Sequence, residues 1–383
     1  MENLIIMKIK TVIHQVTFAA VGGIQTSFIP LYKLFREKSY FDHKIYGMHE
    51  VDSYYNEIKK YYINFSKSII AKYRFMFFLI SKKHIIHFYN NLGSKRIYYL
   101  LKFLPSKNII YHERGTSWNA SIRDIDIIKT NADNADVIIA NSNAAKLILN
   151  KRFNINKNKI KVIYNGFISE NFINKKVKRF SENFSIGYIG RLDTPKGVHV
   201  LIESAKKLPN FHFYIAGDGV LESQFKEMTE GYVNIKFMGR CKPIEFISKM
   251  DVIVVPSIRE PLGNVIIEAG FCKKAVIATN IDGIPEIINN GTNGILLSPK
   301  NKLTIADIPS NAIPIPDFVV NPKKQKLVKP LEIDKKDLIE SINFLKKDKI
   351  FRKKLGLELY KTVKKNFSLE KYFKEIHKVY NSF

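Results

Sequence analysis

Apolar runs of strand length recur along the chain, separated by stretches long enough for helices. The first series reads IKTVIHQV near the start, HIIHFY after Lys83, NIIYHE after Lys107, ADVIIAN from Ala135 and IKVIYNG from Ile160. A second series reads FSIGYIG from Phe184, FHFYIAG from Phe211, NIKFMG from Asn234, DVIVVPS from Asp251 and AVIATN from Ala275. Continuous apolar runs alternating with helix-length segments indicate strands buried on both faces of a parallel sheet, built from βαβ units. So many strands exceed one sheet of ordinary size, and two α/β domains are expected. The polar stretch INKKVKRFSEN, Ile173 to Asn183, is the expected boundary. Ala306–Pro330 holds five prolines and little periodicity. Proline removes backbone donors and stops helices, so this segment reads as an irregular loop or insertion. From Asp334 onward the pattern is helical, with a break at Asn366–Ser368. No fixed-period repeat is visible.

The 383 residues suit two or three domains, and 45% hydrophobic with 25% charged residues is an ordinary globular balance. A disordered tail, a collagen-like chain and a small disulfide scaffold are thereby excluded. The two cysteines, Cys241 and Cys272, stand outside any Cys-x-x-Cys or Cys/His cluster. Free thiols in a reducing compartment are the expectation. The N-terminus MENLIIMKIKTVIHQ has an acidic Glu2 and a broken apolar run, unlike a signal peptide. No uncharged apolar stretch reaches the roughly 18 residues of a membrane span. The expected location is cytoplasmic, at the inner face of the plasma membrane.

That peripheral placement comes from charge. The net charge is +27, from 62 Lys and Arg against 35 Asp and Glu. An A/T-rich coding sequence accounts for part of the lysine, so distribution matters more than the total. Residues up to 180 carry net +18 and the remainder net +9. From Ile58 to His112 there are eleven Lys or Arg and no acid, with aromatic and aliphatic residues interleaved. A basic amphipathic surface of this kind suits an anionic bilayer. The bland reading is a helix packing Phe and Ile inward with solvated lysines outside.

Three linked signals in the second half carry chemistry. Gly190-Arg191-Leu192-Asp193-Thr194-Pro195-Lys196-Gly197 directly follows a strand. The glycine permits a tight turn and Pro195 suits a first helical turn. Arg191 and Lys196 then stand by a helix N-terminus, where N–H groups also favour anions, a geometry fit for a diphosphate. Glu260-Pro-Leu-Gly-Asn-Val-Ile-Ile-Glu268 follows the strand DVIVVPS. Gly263 allows close backbone approach and a helix begins near it, with Glu260 before and Glu268 within. Eight residues of helical rise are about 12 Å at most, so the carboxylates can serve different parts of one ligand. The alternative is a capping Glu260 and a solvated Glu268. The position at the carboxyl end of a sheet, where α/β ligands bind, favours a ligand. Asp282-Gly283-Ile284-Pro285-Glu286 is a third strand-end turn at the same edge. Gly217-Asp218-Gly219 ends another strand, but it lacks the third glycine of a dinucleotide fingerprint.

The order IGRLDTPKG, AGDG, MGR, VPSIREPLGNVIIEA, VIATNIDGIPEII and GTNGIL resembles glycosyltransferase family 4, retaining nucleotide-sugar transferases of the GT-B fold. The first half matches more loosely, through Gly22-Gly23, YHERG around His112, Ala-Asn-Ser at 140–142 and YNGF at 164–167. The resemblance implies an α/β GT-B architecture of two Rossmann-like domains facing a central cleft. These would be an acceptor domain over 1–178, a nucleotide-sugar domain over 179–366, and a terminal helix over 367–383 crossing back to the first. It implies that Arg191 and Lys196 hold the donor diphosphate, Glu268 binds ribose hydroxyls, and Glu260 contacts the donor sugar near the reacting carbon. Gly263 and Asn264 would offer backbone amides, and Gly22 and Gly23 would let the first loop approach phosphates or acceptor. His112 would contact the donor sugar, with Glu113 and Arg114 beside it near the acceptor. No cofactor and no metal are implied: Asp124-Ile-Asp126 has D-x-D spacing but lies in a helical stretch and reads as solvated. After Glu268 the sequence Gly270-Phe-Cys-Lys-Lys-Ala departs from the family's usual Gly-x-Pro, which touches packing more than chemistry.

The favoured partners are a nucleoside-diphosphate sugar, with uridine the expected base, and a membrane-associated acceptor such as a lipopolysaccharide-core or glycolipid intermediate. A GT-B transferase with a soluble acceptor, a GT-B epimerase and a non-enzymatic membrane- or nucleic-acid-binding module are the competing readings. The last leaves the paired strand-end motifs unexplained, and nucleic acid is not the expected partner.

Overall fold

The computed structural model describes residues 10–19, 23–103, 108–168 and 180–383. It forms two compact units. The first takes the described residues within Met1–Asn141, Leu149–Gly166 and Leu369–Phe383; the second takes Ser142–Ile148 and those within Phe167–Ser368. The expected boundary at Ile173–Asn183 lies largely outside the described residues.

The first unit carries β1 (Thr11–Gln15), β2 (Asp42–Gly47), β3 (Tyr62–Asn64), β4 (Ile85–Tyr89), β5 (Ile109–Glu113), β6 (Val137–Ala140) and β7 (Ile160–Val162). They form one sheet in the order β3-β2-β1-β4-β5-β6-β7, parallel at every pairing. Its helices are α1 (Gly23–Lys38), α2 (Ile69–Ile80), α3 (Lys95–Phe103) and α4 (Ile125–Asp133); α5 (Asn143–Phe153) follows β6. The strand order reverses between β1 and β4, the switch point at which an open α/β sheet leaves a crevice. The strands β1, β4 and β5 are buried along their whole length, as continuous apolar runs demand.

One layer of this core is unusually polar. His14 on β1 lies opposite His87 on β4, and Tyr89 lies opposite His112 on β5. His14 Nε2 and His43 Nδ1 share a hydrogen bond of 2.9 Å. The helix over Leu369–Asn381 closes the layer, with Tyr380 Oη 2.7 Å from His87 Nδ1. Lys10 Nζ donates to the Phe383 carbonyl at 2.7 Å, fixing the end of that segment. Burial pushes His43 down to about 3 and holds His14, His87 and His112 well below the ordinary imidazole range, so all four are neutral here.

The second unit carries β8 (Ser185–Ile189), β9 (His212–Ala216), β10 (Ile235–Gly239), β11 (Val252–Val255), β12 (Ala275–Thr279) and β13 (Ile295–Leu297). Their order is β10-β9-β8-β11-β12-β13, again parallel, with the switch point between β8 and β11. The helices are α6 (Val198–Ala205), α7 (Glu222–Glu227), α8 (Pro243–Ser248), α9 (Asn264–Phe271), α10 (Lys335–Lys347) and α11 (Lys349–Asn366); α12 is the helix Leu369–Asn381 of the first unit. At Gly270 on α9 a Cβ would lie 2.8 Å from Val363 of α11, so the departure after Glu268 is a packing feature.

The proline-rich segment corrects its expectation. It is not irregular throughout: β14 (Val319–Asn321) and β15 (Lys326–Val328) form a short antiparallel hairpin inside it. Its backbone also fastens two loops, since Ile313 N donates to Asp193 Oδ1 at 2.9 Å and Val320 N donates to Asp282 Oδ1 at 2.6 Å.

Candidate active site

The switch-point loops of the second unit bring six of the expected residues to one edge of its sheet. After β8 the chain turns through Arg191 into a short 3₁₀ turn, Thr194–Lys196, with Pro195 in its first turn as expected. Asp193 caps that turn by accepting from Thr194 N at 2.8 Å. Gly197 ends it in the left-handed region at φ 65°, and a Cβ there would meet the Pro256 carbonyl oxygen at 2.1 Å. Only glycine fits that contact. The loops after β8 and β11 are joined further by Ile258 N and Arg259 N, both donating to the Pro195 carbonyl.

This interlock places Lys196 against Glu260. Lys196 Nζ donates to Glu260 Oε2 at 2.6 Å, and Ser257 Oγ donates to the same oxygen at 3.1 Å. Glu260 N donates to Asp282 Oδ2 at 2.9 Å, and Gly283 N donates to the Glu260 carbonyl at 3.2 Å. The third motif thus supports the second by backbone bonding. Arg191 is exposed, and its guanidinium makes no hydrogen bond or ion pair among the described residues. The sequence places both cations on one ligand; the structure gives one unengaged cation and one held by a carboxylate.

Gly263 opens α9 at φ 105°, so the helix starts abruptly with Asn264 at its first position. The first-turn N–H groups of a helix have no intrahelical acceptor and favour anions or hydroxyls. Glu268 follows one turn later, about 6 Å along the axis. Its enclosure pushes the carboxyl up to about 8. Among the described residues no donor hydrogen-bonds to it, so nothing offsets the desolvation.

In the first unit, Gly23 is the first residue of α1, and Gly22 lies outside the described residues. His112 is fully buried near the end of β5, its ring stacked 5.5 Å from His87. Neither ring nitrogen has a hydrogen-bond partner among the described residues. Glu113 is committed to its own loop: Oε1 accepts from Gly115 N at 2.7 Å and Ser117 N at 3.0 Å, and Oε2 accepts from Thr116 Oγ1 at 2.8 Å. These bonds give Glu113 a role in holding its loop, and it also lines a hollow at this end of the sheet. Arg114 is likewise engaged, donating from Nη2 to Ser27 Oγ at 2.7 Å. Asp124 accepts from Ser121 N and Oγ in a tight turn. Among the described residues no group of three or more His, Cys, Asp and Glu is placed to hold a metal ion.

Sequence reasoning missed a hollow of about 360 Å³ at the carboxyl ends of β4 and β5, lined by Asn90, Asn91, Ser94, Thr116, Asn119 and Asp124 among others. Its polar lining is amides, hydroxyls and the carboxylates of Glu113 and Asp124, groups that exchange hydrogen bonds with a polyol, beside the apolar Leu92 and Ile128. The only sequence signal was the polar run Asn90-Asn91 directly after an apolar strand.

Residues 169–308 match the model of the family described as glycosyl transferases group 1. Those residues are thus similar to a group 1 glycosyl transferase domain. An uncharacterized glycosyltransferase of Methanocaldococcus jannaschii, MJ1178, is 33% identical over 187 residues, 47% of this chain and 50% of that protein. The capsular polysaccharide biosynthesis glycosyltransferase CapM of Staphylococcus aureus is 26% identical over 242 residues, 61% of this chain and 52% of that protein. The chain thus spans about half the length of these curated relatives. Among solved structures, Anabaena Alr3699/HepE in complex with UDP-glucose superposes with a TM-score of 0.75 at 17% identity, covering 97% of this chain and 100% of that one. At that identity the likeness speaks for the fold: two Rossmann-like units of the GT-B glycosyltransferases. The matched residues contain all of the Arg191, Lys196, Glu260 and Glu268 edge.

Proposed function

We propose that this chain is a retaining, metal-independent glycosyltransferase of family 4 that moves a sugar from a nucleoside diphosphate, with uridine the expected base, to a membrane-associated acceptor. The observation that carries the reading is the convergence of Arg191, Lys196, Glu260 and Glu268 on the switch-point edge of one Rossmann-like sheet. The uridine base is supported by HepE, which has this fold and was solved with UDP-glucose.

The chemistry follows from charge. Breaking the bond between the anomeric carbon and the diphosphate oxygen leaves a negative charge on the diphosphate. Arg191 and Lys196 stabilise that charge where it develops. An incoming diphosphate competes with Glu260 for Lys196 and frees the Glu260 carboxylate to accept from sugar hydroxyls. Glu268 accepts from the ribose, and the first-turn amides at Gly263 and Asn264 meet phosphate or sugar oxygens. The acceptor oxygen attacks on the face that the diphosphate leaves, and the departing phosphate oxygen takes its proton. Gly22, Gly23 and His112 are assigned to the loop approach and to the donor sugar. The hollow beside Asn90 and Asn119 is assigned to the acceptor.

The membrane-associated acceptor and a cytoplasmic, peripheral location are supported by the charge asymmetry between the halves of the sequence. No helix among the described residues is long and apolar enough to cross a membrane. The test is thermal stabilisation by UDP, GDP and ADP on wild type and on Glu268→Ala. A nucleotide at 100 times its dissociation constant adds about 2.7 kcal/mol. Stabilisation of wild type by UDP and its loss in the variant support the reading. No stabilisation by any nucleotide overturns it.

A further inference from the structure

α2 is apolar on both of its faces. Ala71, Phe75 and Leu79 are buried, with Phe75 stacked on Phe65 at 4.8 Å and tilted against Tyr46 at 5.6 Å. That side attaches the helix to its unit. On the other side Ile69, Ile70, Tyr73, Phe77 and Ile80 are between 53% and 74% exposed. At about 100° per residue these five fall within an arc of about 100°, opposite the buried three. Lys72 and Arg74, both exposed, lie on the two flanks of that arc.

α3 extends the same surface. The connections β3 to β4 and β4 to β5 step across the sheet in the same direction. Right-handed crossovers therefore put α2 and α3 on the same face. On α3, Tyr99 and Phe103 are exposed at 60% and 75%, one turn apart, with Lys95, Arg96 and Lys102 exposed beside them. Large apolar side chains this exposed and this clustered on one helix face mark an interaction site. Its cationic flanks and the absence of any acid from Ile58 to His112 select the partner by charge complementarity.

We propose that the exposed arc of α2, with Tyr99 and Phe103 of α3, inserts into the headgroup and upper acyl region of an anionic lipid leaflet. Lys72, Arg74 and the α3 cations then lie at the phosphate level. This deepens the membrane-facing part of the proposed function and is independent of the donor chemistry. It predicts two separable components of binding: attraction that salt screens, and apolar insertion that salt does not.

The test is co-sedimentation with vesicles of equal phosphatidylglycerol and phosphatidylcholine, against pure phosphatidylcholine, at low and high salt. Wild type is expected to bind the mixed vesicles strongly and the neutral ones weakly. The double variant Tyr73→Asp, Phe77→Asp is expected to lose about tenfold or more at both salt concentrations. Lys72→Gln, Arg74→Gln is expected to lose binding chiefly at low salt. Phe77→Trp adds a reporter, since the single natural tryptophan, Trp118, is fully buried. Its emission should shift to the blue with mixed vesicles and be quenched by brominated acyl chains. UDP stabilisation measured on every variant separates loss of the membrane face from failure of the donor reading. Equal vesicle binding by wild type and the Asp variant overturns the proposal. So does a wild type that ignores mixed vesicles, or one whose patch is covered by a second copy in solution, seen as a dimer that the Asp variant dissociates.

Discussion

Lys196 and Glu260 form a 2.6 Å ion pair in the second unit, and neither is deeply buried. The pair is stored between two loops that also share the Pro195 carbonyl, so removing one partner disturbs both. Lys196→Met leaves Glu260 with Ser257 as its remaining side-chain donor. A stability loss of about 1–3 kcal/mol is expected, between values for exposed and buried pairs. Urea unfolding measures it, and titration with UDP should show at least a tenfold weaker affinity. Unchanged affinity would remove Lys196 from the donor site.

Glu268 sets a second expectation. Its carboxyl is raised from 4.5 to about 8 by burial, so the folded chain holds a proton that the unfolded chain releases. The stability this contributes is present below about 4.5 and is lost as pH rises through about 8. Glu268→Gln should therefore melt higher than wild type at pH 8.5, with the gap closing towards pH 5. Ribose hydroxyls would favour the ionised carboxylate, so nucleotide binding near pH 7 should release a proton. Calorimetry in buffers of different ionisation enthalpy reads that release directly.

The histidine layer works in the opposite sense. His43 is lowered from 6.5 to about 3, and His14, His87 and His112 lie well below 6.5. The unfolded chain protonates these groups below about 6.5 while the folded chain does not. Each costs up to about 1.4 kcal/mol per pH unit below that value. Full stability is present above 6.5, and the melting temperature should fall by at least about 5 °C between pH 7.5 and 5.5. A flat profile over that range would mean that the layer admits water or protons.

Gly197→Ala tests the loop interlock. The new methyl would stand 2.1 Å from the Pro256 carbonyl oxygen, in a left-handed conformation. Something must move, and a loss of about 2 kcal/mol or more is expected, read as a lower urea midpoint. Gly231→Ala, also left-handed but with open space around its Cβ, is the control and should cost less.

The long apolar strands and the strand-end motifs were legible because burial on both faces writes a continuous signal. β2 was missed because DHKIYG opens on three polar residues and has only Ile45-Tyr46 as an apolar run, and β3, β13, β14 and β15 because each spans only three residues without a longer apolar run around it. The hairpin among the prolines is held by Asp282, a partner distant in sequence, which local patterning cannot show. Glu113 shows bonding that the sequence does not reveal. Its place beside His112 implied a role near the acceptor; in the structure its oxygens also hold backbone and hydroxyl donors within four residues.

The return of α12 to the first unit has a consequence for biosynthesis. Tyr380 reaches His87, and Phe35 lies against both Phe373 and Tyr380, so the polar layer beside α1 receives its cover from residues made after the second unit. During translation the second unit, lacking nothing that follows Ser368, can complete itself while the first still waits. Vectorial synthesis usually favours the N-terminal domain, but here the order of completion is inverted. A chain released without Leu369–Asn381 would carry a complete second unit behind an unsealed first one, open to proteases and chaperones.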